Sequence, residues 1–201
     1  MTDALVTGVS GSPRKAGTDY AVQYALDYLS RNYRVRTHYF SVRGKSIQYC
    51  IHCDYCLRKK KGCVHQDDLQ ELYPYLEEAR AWVLGSPVYH GHISAQLKSV
   101  LDRTRALLAK GRGVLSGKLG AAIAVGGDRN GGQEMVLSSI MDFYLINEMI
   151  PLGGGVFGAN WGGAIWTGDR GAEGASEDEE GLRGVGKSMD KLALAAGLER
   201  L

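Results

Sequence analysis

The sequence predicts an α/β fold in which a parallel sheet is covered by helices on both faces. Two observations support this prediction. Short apolar segments alternate along the chain with segments of helical periodicity. The chain has 28 glycines among its 201 residues, about twice the usual share, and they gather at strand-to-helix junctions and in one late segment. We expect residues 1–201 to form a single domain, since this length suffices to bury a core.

The overall composition narrows the functional classes. The chain is 44% hydrophobic and 23% charged, as is typical of an ordinary globular protein. A net charge of +2 is too small to favour nucleic-acid binding. No apolar segment approaches the roughly 20 residues that a membrane helix requires, and the N-terminus lacks the features of a signal peptide. We therefore expect a cytoplasmic protein that binds neither nucleic acid nor membrane.

The first strand, residues 4–10, leads into a loop suited to binding a phosphate. This loop, residues 10–18, precedes a helix over 19–32, whose N-terminal N–H groups and dipole favour an anion. It also contains three hydroxyl groups and one cation: Ser10, Ser12, Thr18 and Arg14. The loop lacks both the Walker pattern and the G-x-G-x-x-G spacing, which argues against a nucleoside triphosphatase and a standard dinucleotide site. A plain capped turn remains the alternative.

All four cysteines lie in one loop that follows a second predicted strand, residues 35–40. They are spaced C-x2-C-x2-C-x6-C, at Cys50, Cys53, Cys56 and Cys63. Ferredoxin-type sequences use the first part of this spacing to surround an iron–sulfur cluster. Zinc sites more often use two separated pairs, so the spacing favours iron–sulfur while zinc stays possible. The basic run at 58–61 is either a solvated surface, a counter-charge for a cluster, or a docking site for an acidic electron carrier.

A third strand, residues 81–86, ends in a rigid turn that a flat ring could pack against. The turn consists of Pro87, Val88, Tyr89, His90 and Gly91. A helix over 67–79 precedes the strand, and Pro74 is expected to kink or restart it. Another helix is predicted over 94–110, with its apolar residues on one face.

The fourth strand, residues 118–126, ends in a polar, glycine-rich loop over 126–134. Four glycines let its backbone approach a ligand closely, and a helix reaching residue 149 follows directly. The candidate binding residues here are Gly126, Gly127, Asp128, Gly131, Gly132 and Gln133.

The last part of the chain is less regular. Residues 151–157 are predicted to form the final strand. Residues 153–174 are too rich in glycine for a packed element and indicate a functional loop or a contact surface. A helix from residue 176 to residue 201 completes the chain, with acidic residues in its first turn.

The three unusual loops, 10–18, 86–91 and 126–134, each follow the end of a predicted strand. In parallel sheets, ligands bind outside the carboxyl ends of the strands, where the strand order reverses. The loops should therefore converge on one site. The cysteine loop leaves the second strand on the same side.

These motifs together resemble the flavodoxin-like NADPH-dependent FMN reductase superfamily and, within it, the iron–sulfur flavoproteins of archaea and anaerobes. The resemblance extends over the whole chain. It is found in Gly11–Arg14, the cysteine run with Asp67 and Asp68, Gly85–Tyr89, Leu97–Arg103 and Gly126–Glu134. It implies a five-stranded sheet in the order 2-1-3-4-5, with an iron–sulfur loop over 45–66 inserted after the second strand.

The resemblance also implies the cofactors. FMN would place its phosphate on Ser10, Ser12, Pro13, Arg14 and Thr18. Its isoalloxazine ring would lie against the turn from Pro87 to Gly91 and the loop from Gly126 to Gln133. A [4Fe–4S] cluster would be held by Cys50, Cys53, Cys56 and Cys63. The expected assembly is a homodimer or homotetramer.

The function predicted from this pairing is electron transfer. Electrons would pass from a ferredoxin-like carrier through the cluster and FMN to a small-molecule acceptor, and no side chain is expected to be catalytic. One alternative is an NAD(P)H-dependent FMN or quinone reductase whose cysteines bind zinc or no metal. The other is a non-enzymatic module that binds a different phosphate ligand.

Overall fold

Six parallel strands form the central sheet of the molecule. The computed structural model describes residues 3–201. The main path of the sheet runs β2-β1-β3-β4-β5, which confirms the predicted order, and a sixth strand, β6, also pairs with β4. All of these pairings are parallel. The strands are β1 (Leu5–Ser10), β2 (Arg36–Ser41), β3 (Ala81–Pro87), β4 (Leu119–Gly126), β5 (Ile150–Leu152) and β6 (Gly163–Trp166).

Helices cover both faces of this sheet. They are α1 (Gly17–Asn32), α2 (Tyr55–Lys59), α3 (Tyr73–Glu78), α4 (Ala95–Arg103), α5 (Arg105–Leu108), α6 (Gln133–Ile146), α7 (Gly171–Glu177) and α8 (Glu179–Ala196). Short 3-10 turns occupy Asp68–Glu71 and Arg112–Val114. Within the described part of the chain, none of the helices has the length and apolarity needed to cross a membrane.

Three predicted helices are interrupted in the structure. The predicted helix over 176–201 is broken at Asp178, where α7 ends and α8 begins, and α8 stops at Ala196. The predicted helix over 67–79 is a 3-10 turn followed by α3, which restarts with Pro74 in its first turn as expected for a residue that lacks an N–H. The predicted helix over 94–110 is divided into α4 and α5 at Thr104.

Two hydrophobic clusters hold the sheet, one on each face. One cluster joins the strands to α3, α4 and α6, and it contains the fully buried Trp82. The other joins them to α1 and α8 through side chains such as Val22 and Met189. Each large apolar side chain buried in this way contributes about 1.5–3 kcal/mol. The sheet is therefore fixed from both sides.

The last strand position, beside β4, is shared by two short strands. β5 pairs with Leu119–Ala121 and β6 pairs with Ile123–Gly126. The sheet thus has six strands instead of the five predicted, and the expectation that 153–174 lacks a packed element was wrong. A Cβ added at Gly163 would lie 2.5 Å from Val185 Cγ2, so glycine here allows β6 to pack closely against α8.

Candidate functional site

The first loop ends at a helix N-terminus that is open to an anion. α1 begins at Gly17, two residues earlier than expected, and Thr18 falls in its first turn. The N-cap residue is Ala16, which supplies no side-chain hydrogen bond to the first turn. The first-turn N–H groups therefore lack the side-chain acceptor that usually satisfies them. Such a terminus is suited to binding a phosphate.

The hydroxyl groups of this loop have different local roles. Ser10 Oγ donates to Asp19 Oδ1 at 2.5 Å, so its proton is already committed. Ser12 Oγ donates to the carbonyl oxygen of Arg14 at 2.9 Å and accepts from the Arg14 N–H at 3.2 Å. The Arg14 side chain is exposed. Ser10 thus shapes the loop, and the buried Ser12 closes a turn onto the backbone of Arg14.

Asp19 is a site residue that the sequence reasoning missed. It is buried and accepts hydrogen bonds from Ser10, from Ser41 Oγ at 3.2 Å and from Arg43 Nε at 3.3 Å. These contacts join the first loop to the end of β2, where the cysteine loop departs. An acidic residue in a first helical turn is common, so nothing in the local sequence distinguishes Asp19 as a site residue.

The second and third loops lie against each other. Val88 N donates to Val125 O at 2.9 Å, which continues the pairing of β3 with β4. A Cβ added at Gly132 would lie 3.2 Å from the Cα of Gly91. His90 and Gly91 both have positive φ angles, +49° and +77°, and form the tip of the turn. The two loops expected to meet at one edge of the sheet are therefore in contact.

The third loop is closed by its own glutamine. The Gln133 amide donates to Asp128 O at 2.5 Å and accepts from Gly131 N at 2.9 Å. A Cβ added at Gly126 would lie 2.5 Å from Gln133 Nε2. The buried Gln133 thus fixes the shape of the loop, and a side chain at position 126 would have to displace the Gln133 amide.

A fourth loop, residues 167–171, joins the first loop to the third. Thr167 N donates to Gly126 O at 2.9 Å. A Cβ added at Gly17 would lie 2.7 Å from Thr167 Cγ2, so the same residue also touches the start of α1. The sequence marked this segment only as rich in glycine, without indicating where it lies. Its position makes it a further wall of the site.

A cavity of about 560 Å³ adjoins the third loop. Gly132 and Gln133 line one side of it, and Trp166 lines another. The Arg129 guanidinium lies 4.8 Å from the centre of the Trp166 ring, an arrangement typical of a cation–π contact. The cavity is large enough for part of a small substrate next to the loops that end β3 and β4.

The cysteine loop departs from the same edge of the sheet. Val42 N donates to Ser10 O at 3.0 Å just beyond β2, and the loop then runs outward. All four cysteines are free thiols. Cys53 is exposed, whereas Cys56 and Cys63 pack against the hydrophobic cluster of that face. Among residues 3–201, no group of three or more His, Cys, Asp or Glu side chains is gathered tightly enough to hold a metal ion.

The surroundings of this loop nevertheless fit an iron–sulfur cluster. Three buried side-chain nitrogens close to it have no hydrogen-bond partner among the described residues: Arg103 Nε, Arg105 Nε and His65 Nε2. A buried donor left without an acceptor costs about 1–3 kcal/mol. Thiolate and sulfide sulfurs are acceptors that would satisfy such donors. The donor set therefore suits a sulfur-rich, negatively charged group.

The fold and the edge loops define the class of the protein. An open parallel sheet in the order 2-1-3-4-5, with loops converging at its carboxyl edge, is the flavodoxin-like arrangement. A WrbA-like flavodoxin protein from Agrobacterium tumefaciens has the same fold, with a TM-score of 0.63 at 14% identity over 99% of this chain and 100% of that one.

The sequence comparisons then give the family. The sequence model of the NADPH-dependent FMN reductase family matches residues 4–162. An iron–sulfur flavoprotein from Methanocaldococcus jannaschii is 55% identical over 92% of this chain and 93% of its own length. Another, from Archaeoglobus fulgidus, is 48% identical over 94% and 95%. This chain therefore belongs to the NADPH-dependent FMN reductase family and, within it, to the iron–sulfur flavoproteins. The predicted FMN and iron–sulfur cluster agree with these names.

Proposed function

We propose that this protein is an electron-transfer flavoprotein that holds FMN and one [4Fe–4S] cluster. It accepts electrons from a ferredoxin-like one-electron carrier and delivers them to a small-molecule acceptor. The most direct support is that the cysteine loop leaves the sheet beside the first loop, through the contact of Val42 with Ser10. When bound, the cluster supplies one-electron transfer and FMN supplies both one- and two-electron transfer. We further propose that residues 1–201 form one domain with the loop 45–66 inserted.

The first loop is proposed to bind the FMN phosphate. The uncapped N-terminus of α1 offers backbone N–H groups, and the exposed Arg14 offers a guanidinium that can make charge-assisted bonds. Ser12 can turn its hydroxyl to the same anion. The isoalloxazine ring is assigned to the space beside the turn from Val88 to Gly91 and the loop from Gly126 to Gly132, because these two loops form adjoining walls.

The four cysteines are proposed to ligate the cluster. Their spacing matches that of ferredoxin-type ligands. The packing of Cys56 and Cys63 against the hydrophobic cluster fixes one side of the loop. Cys53 is exposed, which gives an electron carrier access to this part of the loop. A cytoplasmic location suits such ligands, because thiols stay reduced there.

The carrier is proposed to dock on the basic residues 58–61, which lie on and just beyond α2. All four are exposed, and no acidic residue of the described chain forms an ion pair with them. Arg58 also donates to the carbonyl oxygen of Cys53 at 2.9 Å, which ties this basic surface to a proposed ligand. An acidic carrier would be steered to the cluster by this surface.

Association between copies of the chain is proposed to involve the loop 153–162. Phe157 and Val156 are 93% and 74% exposed at its tip. The tip is nevertheless held in place, because Lys187 Nζ donates to the carbonyl oxygens of Val156 at 3.1 Å and Phe157 at 2.8 Å. A loop whose backbone is held in place while an aromatic side chain is exposed at its tip suits an interface. A homodimer or homotetramer is expected by light scattering.

The test compares the rates at which two electron donors reduce the flavin under anaerobic conditions. The oxidised protein is mixed in a stopped-flow instrument either with reduced ferredoxin or with NADPH, and flavin absorbance is followed. The proposal predicts fast reduction by ferredoxin that slows as salt is raised, since docking is electrostatic. Fast reduction by NADPH alone would instead favour the reductase alternative, for which the cavity beside the third loop offers a substrate position.

A further inference from the structure

The guanidinium group of Arg103 forms hydrogen bonds with both ends of the cysteine loop. Arg103 Nη1 donates to the carbonyl oxygen of Gln48 at 3.1 Å, and Nη2 donates to that of His65 at 3.4 Å. Gln48 lies two residues before Cys50, and His65 lies two residues after Cys63. A single side chain from α4 therefore spans the start and the end of the segment that contains all four thiols.

Arg103 is itself held rigidly. Its side chain is 0% exposed, and Nη1 makes an ion pair of 2.5 Å with the 9%-exposed Asp67. Asp67 also accepts a hydrogen bond from Gln48 N at 2.8 Å, so the carboxylate and the guanidinium both bind the backbone of Gln48. Tyr73 Oη donates to the Arg103 carbonyl oxygen at 3.2 Å. A buried ion pair with these additional hydrogen bonds fixes the position of the Arg103 side chain. Lysine could not replace it, because an ammonium group lacks the planar arrangement of N–H donors of a guanidinium.

One donor of this guanidinium remains free for the loop. Arg103 Nε is buried and has no partner among the described residues. Nη2 of the same guanidinium donates to His65 O, two residues after Cys63, so the free Nε lies at the Cys63 end of the loop. An N–H directed at a cysteine sulfur is a common way in which proteins adjust an iron–sulfur centre.

We propose that Arg103 is the positioning residue of the cysteine loop, which holds the loop ends together and directs an N–H to the Cys63 sulfur. This inference rests on the proposed function, in which the cysteines bind a cluster. Reduction adds negative charge to a cluster, and a nearby N–H donor stabilises that added charge. Arg103 therefore raises the reduction potential of the cluster as well as retaining it.

The test uses Arg103→Gln and Arg103→Lys in the complete protein. Two quantities are measured: the midpoint potential of the cluster, by redox titration followed by electron paramagnetic resonance, and the rate at which a chelator removes iron. Bound FMN reports that each variant is folded. Lys98→Gln is the matched control, because it removes one positive charge from an exposed position of the same helix.

Arg103→Gln should shift the cluster's redox equilibrium at least tenfold towards the oxidised state, which is about 59 mV more negative for one electron, and should speed iron loss. Arg103→Lys keeps the positive charge but loses the planar set of N–H donors. Iron loss should therefore also be faster than in the wild type, and the shift in cluster potential should be smaller than in Arg103→Gln. Lys98→Gln should match the wild type in both quantities.

A wild-type potential and rate of iron loss in Arg103→Gln would overturn the inference. If Arg103→Gln retains no cluster, the result for Arg103→Lys is used instead. A wild-type rate of iron loss in Arg103→Lys would show that the planar guanidinium is not needed, which would also overturn the inference. Wild-type protein without iron would overturn the proposed function and this inference together. An iron-loaded wild type with unaffected variants would overturn only the role of Arg103.

Discussion

Ser94 connects α4 to the proposed phosphate loop through two hydrogen bonds. Its fully buried hydroxyl accepts from Leu97 N at 3.1 Å, which caps the helix, and donates to Gly11 O at 2.6 Å. Gly11 is in turn bonded through its N–H to Gly85 O at 2.7 Å. Ser94→Ala would remove both contacts of the hydroxyl without adding bulk.

The size of the effect can be worked out from these two contacts. Loss of a helix N-cap costs about 1 kcal/mol. A buried carbonyl oxygen left without a donor, here that of Gly11, costs about 1–3 kcal/mol. The free energy of unfolding should therefore fall by about 2–4 kcal/mol, a large share of the roughly 5–15 kcal/mol that stabilises a domain. FMN affinity should fall as well, because the released carbonyl directly precedes Ser12.

The assay is urea denaturation followed by circular dichroism at a fixed FMN concentration, together with a fluorescence titration of FMN. Ser99→Ala is the matched control. Ser99 lies on the same helix, and its hydroxyl donates only to Ala95 O at 3.0 Å near the surface. Its replacement should change stability by less than about 0.5 kcal/mol. Equal effects of the two substitutions would refute the assignment of Ser94 as a link between α4 and the loop.

Three further predictions concern cofactors and pH. Cys53→Ala should abolish the cluster but leave one FMN per chain, because the two loops are separate, as iron and flavin analysis would show. Arg14→Ala should weaken FMN binding by about 1.5–3 kcal/mol in a fluorescence titration, the range for a hydrogen bond to a charged group. His38 stacks on Tyr75 with ring centres 3.4 Å apart, and burial lowers its pKa below 6.5 although Glu71 opposes this. The unfolded chain then binds the proton more readily than the folded chain does. The free energy of unfolding should therefore fall as pH drops from 6.5 through the lowered pKa. In urea denaturation, His38→Phe should make the free energy of unfolding less dependent on pH in this range.

Each of these predictions has a clear contrary outcome. Loss of FMN together with iron in Cys53→Ala would mean that the two loops depend on each other. Lys15→Ala is the control for Arg14→Ala, and equal effects of both would indicate a general charge effect. A pH slope unchanged in His38→Phe would assign acid sensitivity to other groups.

The main strands were predictable because their signals are local, whereas the order of the sheet was implied by the family resemblance. β1, β3 and β4 are continuous apolar segments, and each is buried along its whole length. Each also ends in glycine, serine or proline, which marked the positions of the edge loops. The restart of a helix at Pro74 was predictable for the same reason, since the lost N–H acts within a few residues.

The elements that escaped prediction depend on distant partners. β6 forms where glycine is abundant because Gly163 must approach Val185, a requirement that the local sequence does not show. Asp19 gains its role only when β2 brings Ser41 beside it. Likewise, nothing near Arg103 in the sequence indicates that its side chain reaches both ends of the cysteine loop.

Elemental analysis decides whether one chain holds both FMN and an iron–sulfur cluster. Iron, acid-labile sulfide, zinc and FMN are measured per chain on protein purified without oxygen. We expect about four iron and four sulfide for each FMN. FMN with one zinc, or with no metal, would contradict this expectation and would indicate a flavin reductase in which the segment from Cys50 to Cys63 is a structural loop.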